Sequence, residues 1–220
     1  MSLGMRLIRW SLANAVIAGI EFACAGSMNK PALRRYLLAY AILELVSTLM
    51  IRPAIASERS RPQVAGIDPT VRPLASILFL ATVAFGALDV GRIHWALPFA
   101  KGMQVWALAV FVAGDALQIW AMAVNRFFST ELRIQTEFGH RLVVNGPYRY
   151  VRHPGYLAML LTVSSTAVAL GSKLALIPAA IYVALILFRV QREDRYLLGN
   201  LPGYADYVNG VPDRLILGIW

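Results

Sequence analysis

Six apolar stretches recur along the chain, at residues 10–29, 36–51, 73–88, 102–125, 154–172 and 174–188, with hardly a charge inside them. No other feature limits the fold as severely. A helix rises about 1.5 Å per residue and the hydrocarbon core of a bilayer is about 30 Å thick, so a span needs roughly 20 residues. The second, third and sixth stretches are near or below that length. They borrow flanking residues, or one of them is a re-entrant or core helix. Composition agrees: 58% of the 220 residues are hydrophobic and only 15% charged, too apolar for an ordinary soluble domain. The expected fold is an all-α integral membrane protein with about five to six transmembrane helices. The last two stretches are joined only by about Gly171, Ser172 and Lys173, which predicts a tight C-terminal helical hairpin.

Charge assigns the sides. With the N-terminus inside, the inner face receives Arg6 and Arg9, four arginines from Arg52 to Arg72, five from Arg126 to Arg152 and four from Arg189 to Arg214, against six basic residues outside. The positive-inside rule then puts both termini and the two longest loops in the cytoplasm. The net charge of +9 would suggest nucleic acid in a soluble protein. Here it suits cytoplasmic loops and anionic headgroups, so membrane lipid is expected as a partner and nucleic acid is not. A single cysteine, Cys24, excludes an internal disulfide framework and a cysteine-only zinc site.

Arg6 and Arg9 before an apolar run ending Ala23, Cys24 and Ala25 imitate a secretory signal. Glu21 sits badly beside such a cleavage site, and the segment is read as a retained helix. Its Ala15, Gly19 and Ala23, at four-residue spacing, offer a small face for close helix packing. Glu21, Glu44, Asp115 and Gln118 are the polar residues within the apolar stretches. Each should face protein, water or an interface, either as helix-holding groups or as part of a polar path. Asp115 and Gln118 lie one turn apart on one helical face.

Candidate chemistry concentrates between Asn125 and Tyr156. Asn145, Gly146 and Pro147 signal a turn, and Pro154 suits the first position of a helix, leaving His153 beside a helix N-terminus. Such an end favours an anion, to which Arg149, Arg152 and His153 add donors. Tyr148, Tyr150 and Tyr156 supply aromatic faces and hydroxyls, so a cytoplasmic pocket here can hold a ligand with an aromatic base and a carboxylate. The plainer alternative is a basic, tyrosine-rich loop that anchors at the interface. One histidine with no second His or Cys at ligand spacing makes no metal site. After the last stretch, Arg189 and Glu193 share a face if the helix continues, and the hairpin brings this charged turn beside His153. Phosphate-binding glycine loops, G-x-S-x-G and H-E-x-x-H are all absent.

These motifs also carry a resemblance. Asn125–Ser129, Gly139–Val143, Gly146-Pro147-Tyr148-Arg149, Arg152-His153-Pro154-Gly155-Tyr156, Glu193-Asp194, Gly203-Tyr204 and Val211–Leu215 resemble the isoprenylcysteine carboxyl methyltransferase family of integral membrane methyltransferases. Leu88–Arg92 and Trp95 resemble the segment before the fourth span of bacterial members. Asp194 stands where a second Glu is common, and residues 215–218 lack the usual proline. The resemblance implies S-adenosylmethionine as cofactor, lined by Gly146, Pro147, Tyr148, Arg152, His153, Tyr156 and Leu157, with Glu193 at its ammonium or ribose end. It implies Arg189 as the residue that orients an anionic acceptor, and Arg189 and Glu193 as the catalytic pair. The expected organisation is an N-terminal set of about three spans over 1–100 and a methyltransferase core over 101–220. The expected acceptor is the carboxylate of an isoprenylcysteine-like or other lipophilic or small molecule. A phospholipid N-methyltransferase, a thiol S-methyltransferase and a non-catalytic transporter or assembly protein are the alternatives. The expected location is a bacterial inner membrane.

Overall fold

A computed structural model describes residues 2–51, 70–129 and 139–220. Every apolar stretch coincides with or overlaps a helix: α1 Leu3–Ala25, α2 Pro31–Met50, α3 Val71–Leu88, α4 Lys101–Val124, α5 Pro154–Leu170 and α6 Leu176–Asn200. A short α7, Tyr204–Gly210, follows, and no strand occurs among the described residues. Three helical stretches, Leu3–Ala25, Val71–Ile93 and Lys101–Val124, are long and apolar enough to cross a membrane, while Pro154–Leu170 is apolar but shorter. Prolines open α2 and α5, where their missing N–H would lack an intrahelical partner anyway.

The six long helices alternate in direction and close into a ring. α1 packs on α2, α2 on α4, α4 on α5, α5 on α6, α6 on α3 and α3 back on α1. One end of the ring is filled: Ile17, Leu33, Tyr36, Val83, Phe111 and Leu170 belong to one core cluster there. The other end keeps a cavity of about 890 Å³, lined by residues of all six helices. Arg6, Ile51, Val71, Asn125, His153 and Leu201 all line it, so the start of α1, the end of α6 and the helix ends that flank the longer connections gather at that end. Of the arginines expected on this side, Arg52, Arg59, Arg61 and Arg133 lie outside the described residues.

The filled end is fastened by a buried carboxylate. α3 runs into a wide turn, Asp89–Ile93. Asp89 Oδ2 accepts from Ser172 Oγ at 2.6 Å, and Asp89 Oδ1 accepts from the Trp95 amide at 2.8 Å. Ser172 Oγ in turn accepts from the Ala175 amide at 3.1 Å, so the turn after α3 is tied to the hairpin between α5 and α6. That hairpin connection is slightly longer than the three residues expected, because α6 starts at Leu176.

One expectation is overturned here. Ala15, Gly19 and Ala23 are exposed, and a Cβ at Gly19 would meet nothing within 4 Å, so the small stripe of α1 faces away from the bundle. The close approach is made elsewhere. A Cβ on Gly91 would sit 2.3 Å from Ala25 Cα, so the wide turn can press against the end of α1 only with glycine there. Overpacking of this kind costs about 1–3 kcal/mol. Gly91→Ala is therefore expected to lower thermal stability in detergent by that amount, while Gly19→Ala leaves it unchanged or slightly raised. Equal melting temperatures for the two variants would contradict this packing.

Candidate functional site

The mouth of the cavity is built where the start of α5 meets the end of α6. Gly146 opens a 3-10 turn, Gly146–Arg149, at φ +59°, and a Cβ there would lie 2.8 Å from Val124 Cγ2. Only glycine suits both the left-handed backbone and the contact with α4. The turn delivers Tyr148 into the interior, where its hydroxyl accepts from Asn125 Nδ2 at 3.2 Å and its carbonyl accepts from the Tyr207 hydroxyl. Burial holds the Tyr148 phenol above its ordinary pKa, so it remains neutral.

α6 does not stop at Phe188, where the apolar stretch ends, but continues as helix to Asn200. Arg189 and Glu193 consequently share a face, as their spacing requires, and Tyr156 bridges them. The Tyr156 hydroxyl donates to Glu193 Oε2 at 2.6 Å and accepts from Arg189 Nε at 2.6 Å. His153 Nδ1 lies 4.0 Å from Glu193 Oε1, and the Arg189 guanidinium lies 5.9 Å from the Tyr156 ring centroid. Arg189 is buried, whereas the Glu193 side chain keeps 22% of its exposure, open to the cavity.

Behind this wall lies Asp194, which none of the motif readings placed in the site. Its Oδ1 accepts from Arg152 Nε at 3.0 Å and from the Tyr204 hydroxyl at 2.8 Å, with His153 Nε2 at 3.1 Å. Its Oδ2 accepts from Arg152 Nη2 at 3.2 Å and Arg214 Nε at 2.9 Å. Burial alone would raise the Asp194 pKa, but the hydrogen bonds from His153, Arg152, Arg214 and Tyr204 outweigh it and hold the carboxyl well below the usual range. Arg152 also donates through Nη1 to the carbonyls of Val211 and Pro212, at 2.7 and 2.6 Å. Its guanidinium is thus engaged with the protein.

The free amides expected at the start of α5 are mostly occupied. The Arg152 and His153 amides donate to the Asp213 and Arg214 carbonyls at 3.0 and 2.9 Å, and the Tyr156 and Leu157 amides both turn back to the His153 carbonyl. Anion affinity at this end would therefore come from side chains more than from the helix terminus. Of the anticipated site residues, Tyr148, Arg152, His153, Tyr156, Arg189 and Glu193 line the cavity together. Gly146 and the buried Pro147 lie behind it, and Leu157 packs with the α5–α6 core. Asp194, Tyr204 and Arg214 hold the site from beneath. The adjacency of Asp194 to Glu193 was the available signal, since neighbours on a helix point about 100° apart and address different partners.

Comparison with known proteins places this wall. Residues 107–199 match the model of the isoprenylcysteine carboxyl methyltransferase family. A probable protein-S-isoprenylcysteine O-methyltransferase of Oryza sativa subsp. indica is 29% identical over 107 residues, 46% of this chain and 55% of that relative. The cobalt-zinc-cadmium resistance protein CzcN of Cupriavidus metallidurans is 30% identical over 112 residues, 49% of this chain and 50% of that relative. The chain thus spans about half the length of the curated relatives it matches. The solved structure of the eukaryotic intramembrane Ras methyltransferase, isoprenylcysteine carboxyl methyltransferase, superposes with a TM-score of 0.60 at 20% identity, covering 94% of this chain and 73% of that one, which shows a shared fold.

Removing one partner from a buried, multiply bonded charge costs about 3–5 kcal/mol, so Asp194→Ala should destabilise the folded protein by that order and loosen the segment after α7. Because its folded-state pKa is depressed, Asp194 contributes stability that is full above about pH 4 and is lost as pH falls below that value. Thermal unfolding from pH 6 to pH 3 should show this loss in the wild type and a flatter profile in the variant. The matched segment runs from within α4 to the end of α6, so the wall that carries His153, Tyr156, Arg189 and Glu193 lies within the residues that match the isoprenylcysteine carboxyl methyltransferase family model.

Proposed function

We propose that this protein is a membrane-embedded, S-adenosylmethionine-dependent methyltransferase acting on the carboxylate of a lipophilic acceptor. The observation that carries this reading is the shared wall of Tyr156, Arg189 and Glu193 at the mouth of a largely apolar cavity, within the family-matched segment. The donor set fits the cofactor. Glu193 offers a partly open carboxylate to a cationic end, and the rings of Tyr148, His153 and Tyr156 offer aromatic faces. When bound, S-adenosylmethionine supplies a methyl group activated on a sulfonium. Glu193 and His153 would hold its polar end, with Tyr148 and Tyr156 beside them.

An acceptor carboxylate is ionised near neutral pH and needs no general base. The chain's task is then positioning and exclusion of water. Arg189 is held by the Tyr156 hydroxyl so that its cationic end can orient that carboxylate, while Tyr156 keeps its own proton directed at Glu193. Phe79, Phe111, Met122 and Ile186 line the deeper cavity and suit an apolar acceptor tail. A transport path would need Glu21, Glu44 and Asp115 in one polar channel. Glu44 and Asp115 line the cavity, but Glu21 is fully buried outside its lining, which does not favour that alternative.

Calorimetry on the purified protein in detergent should give saturable S-adenosylmethionine binding, weakened at least about tenfold by His153→Ala and by Glu193→Ala. Far-ultraviolet circular dichroism would establish that both variants fold. A folded wild type that binds no cofactor, or two folded variants that bind as the wild type does, would overturn the assignment. Methyl transfer to N-acetyl-S-farnesylcysteine, with Arg189→Ala raising KM more than it lowers kcat, is the corresponding expectation for the acceptor.

A further inference from the structure

After α7 the chain folds back across the start of α5 and makes a turn, residues 215–220, that the methyl-transfer chemistry does not use. The turn is closed on itself. The Leu215 and Ile216 amides donate to the Trp220 carbonyl at 2.8 and 3.1 Å, and the Gly218 amide donates to Asp213 Oδ2 at 3.0 Å. Gly218 has φ +70°, a left-handed conformation that glycine adopts without strain. Leu215 is 1% exposed and shares a core cluster with Ala75 and Leu78 of α3 and with Ile186 and Val190 of α6, and Trp220 packs against that cluster. Ile216, Leu217 and Ile219 are left outside, 47%, 62% and 76% exposed.

Three large aliphatic side chains held outward by a hydrogen-bonded turn mark a contact with another apolar phase. The position of the turn says which. On α6, Phe188 is exposed, and the Arg192 guanidinium, one helical turn further on, lies 5.6 Å from its ring centroid. An outward aromatic ring covered by a long cationic side chain is the pattern found at the boundary between hydrocarbon and headgroups. Val190 lies between these two residues in the chain and shares the cluster of Leu215, so the turn sits at the depth of that boundary. Leu74 and Ile77 of the membrane-crossing α3, which packs on α6, are exposed as well. The turn therefore continues an apolar surface that already faces lipid.

We propose that residues 216–219 are seated in the bilayer at the headgroup boundary of the open end, and that lipid around this turn keeps the candidate site assembled. The partner is the bilayer itself, not another protein. The connection to the site is short. Arg214 adjoins the turn, its Nε donates to Asp194 Oδ2 at 2.9 Å, and its carbonyl accepts from the His153 amide at 2.9 Å. A turn lifted out of lipid pulls on both contacts. This second half rests on the methyltransferase reading, because cofactor binding is what reports an assembled site.

The test uses the full chain in nanodiscs, with Cys24→Ser and with Leu217→Cys carrying an environment-sensitive fluorophore. Phosphatidylcholine bearing a nitroxide near the headgroup end of its acyl chain is expected to quench this label at least about threefold more strongly than aqueous iodide does. Ile216→Asp together with Ile219→Asp should reverse that order, because a carboxylate keeps its charge in water. The same pair should weaken S-adenosylmethionine binding by at least about threefold, whereas Ile216→Leu with Ile219→Leu should change neither readout. Circular dichroism and melting temperature establish that each variant is folded. A label reached by iodide and not by the lipid quencher, or one shielded from both as a covering protein would shield it, would overturn the proposal. So would cofactor affinity that stays unchanged once the turn has left the lipid. Lipid quenching needs no cofactor, so a protein that shows it yet binds no S-adenosylmethionine would reject the methyltransferase reading and leave the seated turn standing.

Discussion

A single buried carboxylate, Asp194, organises the end of the bundle where the candidate chemistry lies. Two arginines, a histidine and a tyrosine converge on it from three different parts of the chain. Desolvation offsets part of what those hydrogen bonds contribute to stability. Their further effect is geometric. Asp194 holds the His153 ring from one side while the cavity opens on the other, and it holds Arg152 where that guanidinium can also reach the Val211 and Pro212 carbonyls. The segment after α7 is thereby tied to the first residues of α5.

The two ends of the ring solve the same problem differently. In a medium without water, buried polar groups must find partners inside the protein. At the filled end, Asp89 finds Ser172 and a backbone amide, and the apolar cluster around Leu33, Tyr36 and Leu170 occupies the rest. At the open end the polar groups are more numerous than their mutual pairings require. Glu193 remains partly open, and Asp115 and Gln118 each keep an unpaired oxygen. Surplus polarity around a cavity is what a ligand site needs and what a structural core avoids.

The family match stops short of part of this cavity. It covers residues 107–199, and therefore the wall at α5 and α6 together with Asp115 and Gln118. Trp10, Tyr40, Glu44 and Phe79, which line the facing side, come from α1, α2 and α3. A cavity with one wall of family pattern and another of separate character can keep one reaction while accepting a different substrate, since function resides in the site and not in the fold.

Much of the fold was legible in the sequence because apolar runs and proline positions act locally. The six stretches, the opening of α5 at Pro154 and the hairpin before α6 follow from hydrophobic length and turn chemistry alone. The pairing of His153 with the charged turn after Phe188 followed from the hairpin, and the GPY and RHPxY motifs marked which loop mattered. Tertiary structure decided the rest. Small residues at four-residue spacing marked α1 as a packing helix, yet the contact is made by Ala25 and Gly91, because a spacing states which residues share a face and not where that face points. The spacing of Arg189 and Glu193 put them on one face, but that Tyr156 from another helix bridges them could not be read from it. Asp194 was visible only as a neighbour of Glu193. Its role arises from Arg152, Tyr204 and Arg214, which are distant in the chain and meet only when the C-terminal segment folds back across the start of α5.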